Sequence, residues 1–220
     1  MIVSMWMSRE LVTVMPETPV AEAATLMARR RIRRLPVVTE ASQQLVGIIT
    51  ATDVLHAFPP DINPFAVDTG PAGRTLTHVS HLLRGEPLSI APDAPIEDAA
   101  ALMRERKIGG LPVVRGGRLV GLITESDIMR AFVSLFRSSG ATVRITFDCS
   151  KCADPFRFIA DLASAHQVTV TSLLRSRQHE VPVCVFRTEG AGVDGMVDAL
   201  WKSGHRVLNV LASGAERARS

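Results

Sequence analysis

The sequence predicts an α+β protein: two β-α-β-β-α repeats, then a smaller unit of different pattern, in 220 residues. Three observations predict this. Residues 3–38 match residues 79–114 at a shift of 76, with 15 identities in 36 positions. Residues 45–58 match 119–132 at a shift of 74, with eight identities in 14. Beyond residue 140 the repeat ends and strand and helix patterns follow in the order β-α-β-β-α-β. Self-similarity at a fixed offset is the mark of a duplicated unit, and one copy of about 55 residues is too small to bury much apolar surface alone.

Each repeat reads the same way. A short strand comes first, Leu11 to Val14 and Leu88 to Ile90. Thr18 is the expected N-cap, with Pro19 at the first helical position. The helix runs to about Arg30, with Val20, Ala23, Ala24, Met27 and Ala28 on one face. Leu35 to Val38 and Leu45 to Ile49 are strands joined by a polar turn, and a second helix starts near Thr50 and stops at Phe58-Pro59-Pro60. The repeats therefore span 1–58 and 79–137, packed sheet on sheet. Residues 59–78, rich in proline and glycine, form an insertion between them.

In the third unit, 141–211, Thr142 to Phe147 alternates as a strand and Asp154 to Ala165 carries an apolar helical face. Val168 to Leu174 and Val181 to Arg187 are strands around a polar turn, Val193 to Lys202 is a helix closed by Gly204, and Arg206 to Leu211 is a last strand. This order is the ferredoxin-like arrangement. Residues 212–220 read as a flexible tail.

With 46% hydrophobic and 21% charged residues, the chain is not of disordered type. Its longest apolar runs are about five residues, so no membrane span is expected. Met1 to Ser8 lacks the basic start of a signal peptide, and the chain reads as cytoplasmic. The net charge of +3 comes from 25 basic and 22 acidic residues spread along the chain, unlike the concentrated excess of a nucleic-acid binder. Three cysteines in such a chain do not make a disulfide framework.

The sharpest motif is Gly-x-x-Thr-x-x-Asp at a strand-to-helix junction, present as Gly47, Thr50, Asp53 and as Gly121, Thr124, Asp127. Thr followed by an acid three residues on is a capping box. The same geometry offers backbone N–H groups, a hydroxyl and a carboxylate to a phosphorylated sugar. Together with Ile32-x-x-Leu35-Pro36-Val37-Val38 and Ile108-x-x-Leu111-Pro112-Val113-Val114, these motifs make residues 1–135 resemble a pair of CBS domains, the Bateman module. The resemblance implies a regulatory, non-catalytic protein that binds adenine nucleosides or nucleotides (AMP, ADP, ATP or S-adenosylmethionine) in clefts between the copies. It implies that Asp53 and Asp127 hold ribose hydroxyls, that Thr50 and Thr124 lie near ribose and phosphate, and that Ile32, Leu35 and Pro36 and Ile108, Leu111 and Pro112 flank adenine.

Within those flanking segments the copies differ: Arg33 and Arg34 in one, Gly109 and Gly110 in the other. One cleft is thus expected to be cationic and to favour di- or triphosphates, the other neutral. The last 70 residues resemble an ACT domain in topology and in Asp148 at the end of the first strand. The usual proline–glycine turn is replaced by Cys149 to Pro155, without glycine. CBS pairs followed by such a domain resemble the acetoin-utilisation regulatory-protein type, and they imply a homodimer or higher oligomer and a downstream protein partner.

Alternatives attach to other features. The run Arg29-Arg30-Arg31-Ile32-Arg33-Arg34 could serve a DNA-associated regulator, though no helix-turn-helix pattern accompanies it. Cys149-x-x-Cys152 could be a redox or metal site, but lacks a second pair; loop and core cysteines are the simpler reading. Gly190-x-Gly192-x-x-Gly195 resembles a dinucleotide fingerprint, but too little chain follows it, and a βα loop is expected.

Overall fold

The computed structural model describes residues 1–40, 42–58, 63, 65, 77–136, 141–178 and 180–213. The insertion expected at 59–78 and the tail expected at 212–220 lie mostly outside them. The chain divides into two compact units, Met1–Ala131 and Phe132–Ser220.

In the first unit α1 (Val20–Arg30) leads to the antiparallel pair β1 (Arg34–Val38) and β2 (Leu45–Thr50), and then α2 (Ala51–His56). The second copy repeats this as α3 (Ile96–Arg106), β3 (Gly110–Arg115), β4 (Arg118–Thr124) and α4 (Glu125–Phe136), of which residues from Phe132 on belong to the second unit. Arg34 stands opposite Thr50 and Gly110 opposite Thr124, so both hairpins are in the same register. Leu35 to Val38 are all buried, which explains an apolar run without alternation.

Two expectations need correction. The strands at Leu11–Val14 and Leu88–Ile90 shrink to single parallel bridges, Val14 to Val37 and Ile90 to Val113. Pro36 and Pro112 lie in the receiving strands. Their carbonyls accept from Val14 and Ile90, at 3.1 and 3.0 Å, but a proline has no N–H to extend a ladder. Thr18 does not cap α1. Its hydroxyl accepts from the Met15 N–H at 3.0 Å, and the cap position falls to Pro19, which has no side-chain acceptor.

The two copies exchange their leading segments. A 3₁₀ turn at Val3–Met5 sits against the second copy: Val3 N–H donates to Ala94, Ser4 N–H to Pro92, and Ser8 bridges Leu122. The matching turn Val79–Leu82 sits against the first, with Val79 N–H donating to Thr18 and Ser80 N–H to Pro16. The cores follow suit. Val3 and Met7 join Ile96, Met103, Leu111 and Ile123, and Val79 joins Val20, Met27, Leu35 and Ile49. Gly47 and Gly121 make room for this, because a Cβ there would collide with Leu83 and Met7 respectively.

In the second unit β5 (Thr142–Asp148), β6 (Thr169–Gln178), β7 (Val181–Glu189) and β8 (Val207–Ser213) form one antiparallel sheet in the order β6-β7-β5-β8. The strand β6 runs on to Gln178, past the turn expected from Arg175. The helices α5 (Pro155–Ala165) and α6 (Val193–Lys202) supply Ile159, Met196 and Leu200 to a core with Ile145, Phe147 and Phe186. Phe147 meets Phe186 edge-on at 6.2 Å. Asp154 caps α5, accepting from Phe156 and Arg157 at 3.1 and 3.0 Å. Among the described residues no helix is long and apolar enough to cross a membrane.

The exchange predicts where a lesion is felt. Val3→Ala removes two methyl groups from a fully buried site in the second copy's core. It should cost about 1–3 kcal/mol. Hydrogen exchange should show the lost protection in α3, β3 and β4, and not in α1, β1 and β2.

Candidate functional site

The site is built from the two strand-to-helix junctions. Thr50 ends β2 and caps α2; its N–H and hydroxyl both donate to Asp53 Oδ2, at 2.8 and 2.6 Å, and Asp53 N–H donates back to Thr50 Oγ1 at 3.3 Å. Thr124 and Asp127 repeat the arrangement at 2.9, 2.7 and 3.4 Å. Both junctions are therefore capping boxes, and one carboxylate oxygen of each Asp is committed to its own cap.

The copies then diverge. Asp127 is 5% exposed, and its second oxygen Oδ1 accepts from Arg130 Nη2 at 2.6 Å. Arg130 also donates to the Trp6 carbonyl at 3.2 Å, tying this carboxylate to the exchanged segment. His56 stands at the position matching Arg130 in the first copy, and no partner of Asp53 Oδ1 occurs among the described residues.

Two clefts adjoin these junctions, and each draws on both copies. One, of about 410 Å³, is lined by Thr50 and Arg34 of the first copy and by Ile108, Gly109 and Gly110 of the second. The other, of about 270 Å³, is lined by Thr124 and Asp127 of the second copy and by Ile32, Arg33, Arg34 and Pro36 of the first, with Gly109 again. Of the other expected residues, Asp53 stands behind Thr50 outside the cleft wall. Leu35 and Leu111 are fully buried in the two cores, and Pro112 is buried as well.

This corrects the expected division of charge. Arg33 lies in the Thr124 cleft, not beside Thr50, and Arg34 lines both clefts. The Thr50 cleft is cationic for other reasons: Arg84 and Lys107 join Arg34 there, against a single acid, Glu86. In the Thr124 cleft Arg31, Arg33 and Arg34 face Glu10, Glu125 and Asp127. Sequence reasoning missed Arg84 because it follows the exchanged turn. It missed Lys107 because that residue looks like an ordinary helix end; it is the left-handed C-cap of α3, with φ of 53°.

The other candidates resolve locally. Cys149 and Cys184 are buried in the core of the second unit, with Cys152 packed beside them. Burial, followed by the neighbouring Cys149 and Cys152, pushes the Cys184 thiol up to about 12 from an ordinary 9.0. Burial also raises Cys152. Among the described residues no three His, Cys, Asp or Glu side chains are grouped to hold a metal. Asp148 closes a turn onto Ser150, whose hydroxyl and N–H hold its carboxyl below the usual range. Gly192 caps α6, and a Cβ there would strike the His166 carbonyl; close packing accounts for this glycine.

The thiol shift has a sign that can be tested. An unfolded chain ionises Cys184 near 9.0, while the folded chain keeps it neutral to about 12. Its contribution to stability is thus complete below pH 9 and is lost as pH rises towards 12. Native protein at pH 8 should leave Cys184 unmodified by iodoacetamide, and Cys184→Ala should flatten the fall of unfolding free energy above pH 9.

Comparison with known proteins bears on the duplicated part of the chain. A family model of the CBS domain matches residues 3–60 and 79–134. A CBS domain-containing protein of Dictyostelium discoideum is 33% identical over 135 residues, 61% of this chain and 92% of that protein. The inosine-5′-monophosphate dehydrogenase of Korarchaeum cryptofilum is 30% identical over 190 residues, but the chain spans only 36% of that enzyme's length. Among solved structures, CBSX2 in complex with AMP has a TM-score of 0.52 at 28% identity, covering 62% of this chain and 98% of that one. The CBS domain pair of protein MJ0100, in complex with 5′-methylthioadenosine and S-adenosyl-L-methionine, has 0.50 at 27%, covering 61% and 97%. A Vibrio cholerae protein provisionally assigned to acetoin utilization has 0.50 at 29%, covering 62% and 93%. With two matched repeats, two Thr–Asp junctions and a cleft at each, the chain belongs to the CBS-domain family.

Proposed function

We propose that the chain is a cytoplasmic regulatory protein that binds adenine nucleotides in its two clefts and relays their occupancy to the β-α-β-β-α-β unit. One observation carries this reading: each cleft joins the junction threonine of one copy to the Ile-led segment of the other, Thr50 to Ile108, Gly109 and Gly110, and Thr124 with Asp127 to Ile32, Arg33, Arg34 and Pro36. A ligand there holds both copies in one arrangement, which is what a sensor requires. The AMP and S-adenosyl-L-methionine in the neighbours' structures support adenosine as the shared chemistry.

In this reading Ile32 and Pro36, and Ile108 with Gly109 and Gly110, flank the base, while Leu35, Leu111 and Pro112 fix those segments from the core. Asp127 accepts ribose hydroxyls in its cleft; Oδ1 keeps one acceptor position beside Arg130. In the other cleft Thr50 lines the wall and Asp53 backs it. Arg33, Arg34, Arg84 and Lys107 meet phosphate. The second unit acts as an ACT-like, ferredoxin-like module of the acetoin-utilisation type. Its edge strand β8, with Leu208, Val210 and Leu211 about 40% exposed, supports pairing into a homodimer. A downstream protein partner receives the signal.

Calorimetric titration with AMP, ADP, ATP, S-adenosylmethionine and NAD tests the reading. Saturable heats are expected with the adenosine ligands. Asp127→Asn, which keeps an acceptor for the cap, should weaken AMP about 10–100-fold at its cleft, the worth of a charged hydrogen bond. If no adenosine ligand binds at millimolar concentration, the reading fails. For assembly, sedimentation at micromolar concentration should show at least a dimer; a single 23.8-kDa species would refute it.

A further inference from the structure

Arg34 occupies a position that the nucleotide reading alone does not explain. It opens β1 opposite Thr50, and its side chain crosses to the second copy and lies over Gly109 and Gly110. A Cβ on Gly110 would stand 3.3 Å from Arg34 Cδ, and one on Gly109 would collide with Arg34 Nη2. The guanidinium thus fills the space that two missing side chains leave. Both clefts include it, so it forms part of the partition between them.

The group is half-buried. No ion pair or side-chain hydrogen bond of Arg34 occurs among the described residues. Burial, and then the adjacent Arg33, makes it hold its proton less tightly than usual, against the opposing pull of Glu125. Glu125 Oε2 stands 2.9 Å from the same Gly109 Cβ position, yet outside ion-pair distance of the guanidinium. A half-buried guanidinium that lines both clefts has donors to offer on either side, and a phosphate entering from either side would accept charge-assisted hydrogen bonds from it.

We propose that Arg34 is a shared phosphate contact, and that sharing one guanidinium makes the two clefts compete for phosphorylated ligands. This rests on the nucleotide reading above. The first phosphorylated ligand takes Arg34 and enters the Thr50 cleft, where Arg84 and Lys107 outnumber Glu86. The second cleft is left with Arg31 and Arg33 against Glu10, Glu125 and Asp127. A ligand without phosphate has no use for Arg34, and for it the clefts are independent.

Calorimetry with AMP and adenosine as probes separates the cases. For the unaltered chain the second AMP should bind at least about tenfold more weakly than the first, the value of one charge-assisted contact, while the two adenosine steps stay within about threefold. Arg34→Gln should weaken the first AMP step about tenfold or more and narrow the gap between the two steps by about as much, the remaining gap being that of Arg84 and Lys107 against Glu86, and should leave adenosine unchanged. Gly109→Ala keeps the charge but displaces the guanidinium, and should give the same narrowing. Two equal, independent AMP sites in the unaltered chain would overturn the competition while leaving the nucleotide reading intact. A step difference that neither substitution narrows would also overturn it. Absence of binding by both probes would overturn the nucleotide reading and this inference together.

Discussion

The exchange of leading segments between the two copies is the constraint on which the first unit depends. Val3 and Val79 are fully buried, each in the core of the copy to which it does not belong by sequence. Buried aliphatic groups of this size contribute about 1.5–3 kcal/mol each, and a one-copy core would lack them. The same crossing carries Ser8, Glu10 and Leu11 along the Thr124 cleft and Arg84 to Leu88 along the Thr50 cleft. Composite clefts are a consequence of composite cores.

The capping boxes show structure and chemistry using the same atoms. Each Thr–Asp pair satisfies donors at a helix start, so it would persist in a protein with no ligand at all. What distinguishes the two is what surrounds them. Asp127 is locked by Arg130, which is itself held by the Trp6 carbonyl of the exchanged segment, whereas Asp53 has His56 at the matching place. Duplicated motifs of identical local geometry thus face unequal electrostatic surroundings.

Much of this was legible in the sequence. The repeat, the hairpins and both junctions follow from identity and local pattern, and Val193–Lys202 is found with the bounds its periodicity predicts. What was not legible depends on long-range placement. Thr18 reads as a helix cap, yet its hydroxyl serves Met15, since the proline after it already fixes the helix entry. Arg33 and Arg34 adjoin in sequence and both line the Thr124 cleft, but Arg33 lies at a bend before β1, and only Arg34, the first residue of the strand, also lines the Thr50 cleft. Arg84, Lys107 and Arg130 carry no local signal of a site. Their roles come from the crossing of the copies and from a left-handed helix end.

The covered glycines set the grain of sequence change in this unit. Gly121 is small because Met7, more than a hundred positions earlier, lies on it, and Gly47 is small because of Leu83. A bulkier residue at either glycine requires the side chain donated by the other repeat to move aside or to shrink in step. The heritable modules are therefore not the two repeats as the chain spells them. They are two interleaved halves, each a helix-and-hairpin body with the other's leading turn, and drift within one repeat is answered in its twin.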